Sequence, residues 1–262
     1  MIYEQINYFD EGDYSIIQLN RPAVFNSFNK QMAIEFQQAL TEAEKNKANR
    51  AILITGSGKA FCAGQDLLEA APPGKELADL GKIIDECYNP IIKLIRSIEK
   101  PIVCAVNGIA AGAGANIALA CDIVIAAESA AFLQAFSKIG LVPDSGGTYF
   151  LPRLVGLPRA TALMMLGEKL SANHALAMGM IYKVFPDAVL EEESLKLTAG
   201  LAAMPTKALG LTKIALNESF NNNLSQQLDL EKTLQVEAGN THDYKEGVQA
   251  FLEKRKPDFK GE

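Results

Sequence analysis

The stretch "IVCAVNGIAAGAGANIALACDIVIAA", residues 102–127, decides the fold class. A β-type run, residues 102–107, leads into a loop of glycine and alanine, and a helix is predicted to begin near Ala113. A second β-type run, residues 122–127, follows directly. Strand, helix and strand in such close succession are typical of an α/β protein.

The same alternation extends through the first two thirds of the chain. Residues 14–20 and 51–55 are β-type runs, and Met32, Phe36 and Leu40 recur between them at helical spacing. After residue 190 the pattern is helical. We therefore predict a core over residues 1–189 and a helical C-terminal region over residues 190–262.

Composition and charge exclude several classes of protein. Hydrophobic residues make up 48% of the 262 residues and charged residues 21%, which is ordinary for a globular protein. The formal net charge of −6 argues against general binding to nucleic acid or to an anionic membrane. The apolar run after Asn107 ends at Asp122, too soon for a membrane span. The basic segment "EKRKPDFK", residues 253–260, is either an anion site or a solvated tail.

The cysteines and the N-terminus bear on location. Cys62, Cys87, Cys104 and Cys121 show no C-x-x-C spacing, which predicts buried thiols in a reducing compartment. The first residues include acids and no long apolar run, so no signal peptide is predicted. A cytoplasmic protein is expected.

Two small-residue loops follow predicted strands. In "GSGKAFCAGQDL", residues 56–67, Ala63 and Gly64 expose their backbone, and Gly112 to Ala115 do the same at a helix start. N–H groups from both loops could converge on one carbonyl oxygen as an oxyanion hole. The alternatives are an ordinary loop with Asp66 as a helix N-cap, or close helix packing. Dinucleotide binding is disfavoured because Ile117 replaces the third glycine of the motif.

The segment "KIGLVPDSGGTYFLPR", residues 138–153, carries a single carboxylate, Asp144, before two glycines. Asp144 is either a helix N-cap or a catalytic acid/base. A serine-hydrolase motif G-x-S-x-G is absent. His174 and His242 lack metal-ligand spacing, so no metal site is predicted.

Four motifs in order, "FCAGQDL", "AVNGIAAGAGA", "DIVIA" and "GLVPDSGGTYFLPR", resemble the enoyl-CoA hydratase/isomerase family. The resemblance extends from residue 20 to residue 257. It implies a crotonase-like spiral of ββα units followed by a helical trimerisation region. It also implies an acyl-CoA thioester as substrate, no separate cofactor because CoA is part of that substrate, and a homo-oligomer, either a trimer or a dimer of trimers.

The resemblance also assigns roles to positions. The acid/base is placed at Asp144, and the oxyanion donors at the N–H groups of Ala63 and Ala113. Residues expected to contact substrate or CoA are Gly64, Gln65, Asp66 and Leu67, together with Phe251 and Lys254, which would reach CoA bound to a neighbouring subunit.

Departures from the family pattern limit the reactions that this chain is expected to catalyse. Hydratases of the family use two glutamates to activate water, and those positions hold Asn116 and Phe136 here. Hydration is therefore not expected. The motifs are most similar to the branch that isomerises ring-1,2-epoxyphenylacetyl-CoA and can also shift enoyl-CoA double bonds. Its dehalogenase relatives use a tryptophan, which this chain lacks.

Two hypotheses follow. The first is a CoA-thioester isomerase, with Phe132, Phe136 and Tyr149 either forming an apolar pocket that raises the Asp144 pKa or packing in the core. The second is a CoA-ester binding or assembly subunit with vestigial catalysis.

Overall fold

The computed structural model describes residues 3–71, 73–74 and 76–262. Its strands are β1 (Ile6–Asp10), β2 (Tyr14–Leu19), β3 (Ala51–Gly56), β4 (Ala60–Cys62), β5 (Ile102–Val106), β6 (Ile109–Ala111), β7 (Ile123–Ala127), β8 (Ala131–Leu133), β9 (Lys169–Ser171) and β10 (Lys183–Phe185).

The α-helices are α1 (Lys30–Lys45), α2 (Leu67–Ala70), α3 (Leu80–Ile83), α4 (Asn89–Ser97), α5 (Ala113–Ala120), α6 (Gly147–Val155), α7 (Leu157–Leu166), α8 (Ala172–Ala177), α9 (Leu190–Ala202), α10 (Thr206–Glu218), α11 (Leu224–Gly239) and α12 (His242–Glu253). A π-helix, Ile84–Tyr88, joins α3 to α4, and short 3₁₀ helices span Pro22–Val24, Ala135–Ile139 and Asp187–Val189.

The larger sheet has six strands in the order β1-β2-β3-β5-β7-β10. Only its edge strand β1 is antiparallel to its neighbour, and in the centre Ile54 lies opposite Cys104. Every residue of β5 is buried. Continuous burial of this kind arises when both faces of a parallel sheet are covered, which explains the unbroken apolar run in the sequence.

A second, four-stranded sheet has the order β4-β6-β8-β9. Each of its strands has three residues, and β4, β6 and β8 directly follow β3, β5 and β7 along the chain. The chain therefore passes from a strand of the larger sheet to a strand of the smaller one, and helices such as α5 lead it back to the larger sheet. Runs of three residues are too short to show a period, so the sequence did not predict them.

Helices α1 and α9 contribute to the core from outside the sheets. Met32, Phe36 and Leu40 of α1 are fully buried, as their spacing predicted. Helix α9 packs against β3 and β5. The last strand ends at Phe185, and the division at residue 189 between core and C-terminal region stays a prediction.

An ionic cluster around a buried lysine attaches α10 to the core. Lys213 Nζ lies 2.8 Å from one oxygen of Asp122, and Arg96 lies 3.0 Å from the other. The Lys213 side chain is 6% exposed. Burial lowers the pKa of Lys213 and the Asp122 carboxylate opposes that shift. The two cations and the one carboxylate thus form one hydrogen-bonded unit, in which none of the three charges is isolated.

The last two helices present apolar side chains to solvent. No residue of α11 is buried. Leu228 and Val236 of α11 and Val248 and Leu252 of α12 are exposed.

Cys62, Cys87, Cys104 and Cys121 are free and buried, which confirms the predicted buried thiols. Across the described parts of the chain, no helix combines the length and the hydropathy that crossing a bilayer requires.

Candidate active site

The loop after β4 lies directly against the start of α5. Gly64 has φ +93°, and a Cβ at this residue would lie 2.9 Å from the carbonyl oxygen of Ala111 and 3.7 Å from the Ala113 nitrogen. Only glycine fits such a close approach at that backbone conformation. The two small-residue loops therefore meet, as the sequence predicted.

Ala63 was wrongly assigned as an oxyanion donor. Its N–H donates to the Phe25 carbonyl oxygen at 2.9 Å and is not free for a ligand. The N–H of Gln65, two residues further along the chain, is oriented differently from that of Ala63. Gln65 forms a parallel bridge with Phe28, in which Phe28 bonds to the residues on either side of Gln65. The Gln65 N–H therefore points away from Phe28 and has no acceptor among the described residues.

Ala113 is the first residue of α5, and its N–H likewise has no acceptor within the described chain. The preceding Gly112 has φ +52°, and α5 has no side-chain cap. The Phe136 ring lies 3.7 Å from the position of a Cβ on Gly112. An uncapped helix N-terminus favours negative charge, because its N–H groups lack partners and the helix dipole has its positive end there.

Asp144 lies just before α6, and its carboxylate does not cap that helix. One carboxylate oxygen accepts a hydrogen bond from the Ser145 hydroxyl at 2.8 Å, and the Asp144 carbonyl accepts the Gly147 N–H at 2.9 Å. Ser145 and Gly146 adopt left-handed conformations with φ +51° and +73°. The N-cap alternative for Asp144 is thus wrong, and the carboxyl group is available for chemistry.

The environment of Asp144 changes the affinity of its carboxyl group for a proton. Burial raises the pKa of Asp144 above its ordinary value, and the Ser145 hydrogen bond partly opposes the shift. A raised pKa brings a carboxyl group closer to the range in which it can both take up and release a proton.

Tyr88, at the end of the π-helix, is a site residue that the sequence analysis missed. It is buried, and its hydroxyl donates to the Gln65 side-chain oxygen at 2.6 Å. Burial, then the charges of Cys62 and Asp144, raise the pKa of Tyr88, so the phenol stays protonated. Short π-helical segments between α-helical turns occur often at functional sites, but no sequence pattern predicts this one. A cavity of about 200 Å³ beside it is lined by Gln65, Ile83, Cys87 and Tyr88 among others.

Residues 12–262 match the family described as "Enoyl-CoA hydratase/isomerase". The chain belongs to the enoyl-CoA hydratase/isomerase family. It is 48% identical over 246 residues to the 1,2-epoxyphenylacetyl-CoA isomerase of Escherichia coli K12, covering 94% of each chain. It is 46% identical over 261 residues to a probable enoyl-CoA hydratase of Rhodobacter capsulatus, covering 100% of each.

Among solved structures, the enoyl-CoA hydratase of Bacillus anthracis superimposes with a TM-score of 0.91 at 34% identity, over 99% of this chain and 100% of that one. The protein therefore has the crotonase fold, and it is an enzyme of the hydratase/isomerase family, as the motifs implied. Relatives carry both isomerase and hydratase names, so the family alone does not select the reaction.

In this member of the family, the two hydratase glutamate positions carry no titratable group. Asn116 is fully buried, and both ends of its amide are hydrogen-bonded within the protein. Phe136 is buried against Gly112. Neither side chain can activate a water molecule.

The three aromatic residues considered as a pocket are not brought together. Phe136 borders the α5 N-terminus, whereas Phe132 lies in the hydrophobic core. Tyr149 is 39% exposed, with the Arg153 guanidinium 3.6 Å from its ring centroid. Of the three, only Phe136 borders the proposed oxyanion site.

The side chain of Asp66 has two structural roles. It caps α2 by accepting the Leu68 N–H at 3.1 Å, and it pairs with Arg21 at 3.0 Å. The N-cap alternative from the sequence is therefore observed. Leu67 is exposed beside it. Contact of this loop with CoA stays a prediction.

Phe251 and Lys254 lie at the end of α12, where Phe251 is 83% exposed and Lys254 is exposed in a left-handed conformation. Nearby, Arg255 is paired with Glu246 and Glu253. Part of the positive charge in the basic segment is therefore neutralised within the chain.

Proposed function

We propose that this protein is a CoA-thioester isomerase that converts 1,2-epoxyphenylacetyl-CoA to its oxepin form and also shifts 3-enoyl-CoA double bonds. The observation that carries the proposal is a partly buried carboxyl group, Asp144, in a site where both hydratase glutamate positions are non-titratable. The relative named 1,2-epoxyphenylacetyl-CoA isomerase supports the choice of substrate. Such an activity belongs to phenylacetate breakdown.

In the proposed reaction, the Gln65 and Ala113 N–H groups donate to the thioester oxygen. For a 3-enoyl-CoA, the Asp144 carboxylate removes a proton from the α-carbon, and the electron pair moves onto that oxygen as a dienolate. The two N–H groups stabilise the negative charge. Asp144 then returns the proton to the γ-carbon, which leaves the 2-enoyl product. CoA enters with the substrate, and this scheme needs no other cofactor.

The deciding experiment is an assay of the purified protein on a panel of CoA esters, followed by absorbance and mass spectrometry. The panel contains epoxyphenylacetyl-CoA, a trans-3-enoyl-CoA and crotonyl-CoA. Isomer formation from either of the first two supports the proposal. Tight binding without turnover of any ester would instead favour a CoA-ester binding subunit.

Hydration of crotonyl-CoA is expected to be at least about 10²-fold slower than isomerisation, because no acid/base pair is placed to activate water. The change Asn116→Glu should not create an efficient hydratase. Phe136 still occupies the second position, and a glutamate would lose the amide N–H that binds the Asp144 carbonyl. Hydration and isomerisation rates of both proteins test this, and fast hydration by either would contradict it.

We also infer a homo-oligomer, a trimer or a dimer of trimers, in which Phe251 and Lys254 contact CoA on a neighbouring subunit. The exposed apolar residues of α11 and α12 support an interface there, because such a face is stabilised by burial against another chain.

The paired change Phe251→Ala and Lys254→Glu is expected to weaken CoA-ester binding several-fold, since it removes an apolar contact and reverses a charge. Point changes are cleaner than truncation because Asp243 binds the N–H groups of Lys260 and Gly261. Calorimetry measures affinity, and sedimentation confirms the assembly. Lys196→Glu, the same charge reversal on α9, is the control. Unchanged affinity in the paired variant, or a stable monomeric parent, would contradict the inference.

A cytoplasmic location also remains a proposal. Its support is chemical: all four cysteines are free thiols, as in proteins of reducing compartments.

A further inference from the structure

One side chain connects the two parts of the proposed site. Asn116 lies on α5, three residues after Ala113, and its Nδ2 group donates to the backbone carbonyl of Asp144 at 2.8 Å. The helix that supplies an oxyanion donor is therefore bonded directly to the residue that supplies the carboxyl group.

Asn116 is itself held in one orientation. The Gln134 Nε2 group, located between β8 and the Ala135–Ile139 helix, donates to Asn116 Oδ1 at 2.7 Å. Both side chains are buried. On the other side, a Cβ on Gly147 would lie 2.4 Å from Asn116 Nδ2, so the first residue of α6 packs directly on the amide. The amide cannot rotate without breaking a buried hydrogen bond.

We propose that Gln134 and Asn116 are positioning residues that fix the Asp144 carboxyl group relative to the Ala113 N–H. This proposal rests on the proposed isomerase function. Proton transfer requires that the carboxyl group and the thioester oxygen site keep a set separation, and misplacement by about 1 Å can cost about 10²-fold in rate. Ser145 adopts a left-handed conformation with φ +51°, which is strained for a residue other than glycine and increases the need of this segment for an anchor.

The chemistry of the amide explains why asparagine suits this position. An amide donates through nitrogen to the Asp144 carbonyl and accepts through oxygen from Gln134 at the same time. An ionised carboxylate can only accept, so a glutamate or aspartate would leave the Asp144 carbonyl without its donor. In this chain the position serves geometry and takes no part in proton exchange.

The test uses the full-length protein with Asn116→Leu, which keeps side-chain size and removes both hydrogen bonds, and Gln134→Met as a milder variant. We expect kcat for 3-enoyl-CoA isomerisation to fall about 10- to 100-fold in Asn116→Leu, with KM within about threefold of the parent. The Gln134→Met loss should be smaller. The double variant Asn116→Leu, Gln134→Met should have a kcat close to that of Asn116→Leu alone, because both residues act through one chain of hydrogen bonds.

The matched control is Asn49→Leu. Asn49 is equally buried and donates to the Ser15 hydroxyl, away from the site. Its loss should lower the melting temperature and leave kcat per folded molecule unchanged. Parental kcat in folded Asn116→Leu and Gln134→Met, or a loss that appears only in KM, would overturn the positioning role. If Asn116→Leu does not fold, parental kcat in Gln134→Met overturns it alone.

Failure of the underlying function gives a different result. An Asp144→Asn protein with parental turnover would remove the acid/base role itself. An inactive Asp144→Asn protein beside a fully active Asn116→Leu protein would leave the function standing and remove only the positioning role.

Discussion

Replacement of Asp144 by asparagine is expected to lower isomerase turnover by roughly 10²–10⁴-fold, the usual contribution of a positioned acid/base. Asparagine keeps the size of the side chain and can still bond to the Ser145 hydroxyl, but it cannot take up and return a proton. Thioester affinity should remain near that of the parent, because binding depends on backbone N–H groups and CoA contacts. The measurement is kcat and KM for a 3-enoyl-CoA.

The same variant should be as stable as the parent at neutral pH, or more so. Burial raises the pKa of Asp144, so the folded protein binds this proton more tightly than the unfolded chain does. The free energy of unfolding therefore falls as pH rises from the ordinary aspartate pKa through the raised one. Asparagine has no proton to release in this pH range, so the variant does not lose this part of the free energy of unfolding. Melting temperatures at pH 7 test the expectation.

The control is Asp187→Asn. The Asp187 carboxylate accepts the Ser129 N–H at 3.0 Å. Hydrogen bonds from Ser129, first from its side chain and then from its backbone, lower the pKa of Asp187, so the contribution of Asp187 to stability is present at neutral pH and is lost on acidification. This variant should keep its turnover. An Asp144→Asn protein that melts normally and turns over within a few-fold of the parent would show that Asp144 moves no proton.

The change Gly64→Ala is expected to lower kcat by about 10²–10³-fold, as the loss of one oxyanion donor does. The added Cβ would lie 2.9 Å from the Ala111 carbonyl oxygen, so the backbone must shift. Because the next N–H belongs to Gln65, that shift moves one donor away from the other at Ala113. Steady-state kinetics measures the effect on kcat, and thermal melting of the same preparation measures the effect on stability.

Gly12→Ala is the matched control for this prediction. Gly12 has φ +92°, nearly the same as Gly64, and nothing lies within 4 Å of an added Cβ. It should lose about 1–2 kcal/mol of stability from backbone strain and keep its turnover. If Gly64→Ala behaves like Gly12→Ala in both measurements, the proposed oxyanion site is placed wrongly.

Long apolar runs made most of the larger sheet predictable. The runs over residues 51–55 and 102–107 correspond to β3 (Ala51–Gly56) and β5 (Ile102–Val106), because a buried parallel strand needs an unbroken apolar sequence. Asp144 could be singled out because a lone carboxylate among small residues is conspicuous. The short strands of the second sheet gave no such signal.

The error at Ala63 has a simple physical origin. Ala63 and Gln65 are two residues apart, so their N–H groups would point the same way in a regular strand. Gly64 lies between them with φ +93°, which breaks that regularity and separates a bonded donor from a free one. Which of Ala63 and Gln65 is free depends on the pairing with residues 25–28, far away in sequence. The contacts of Tyr88 and Gln134 are equally long-range, and no local pattern predicts them.

The cluster of Arg96, Asp122 and Lys213 has a consequence for how the family can diverge. Its members come from α4, from the turn before β7, and from α10, yet they depend on one carboxylate. Loss of Asp122 would leave two cations without their shared counter-ion, whereas a joint exchange of all three residues for apolar ones of similar volume can be tolerated. These three positions should therefore covary among homologues, and the junction between α10 and the core should evolve in concerted steps.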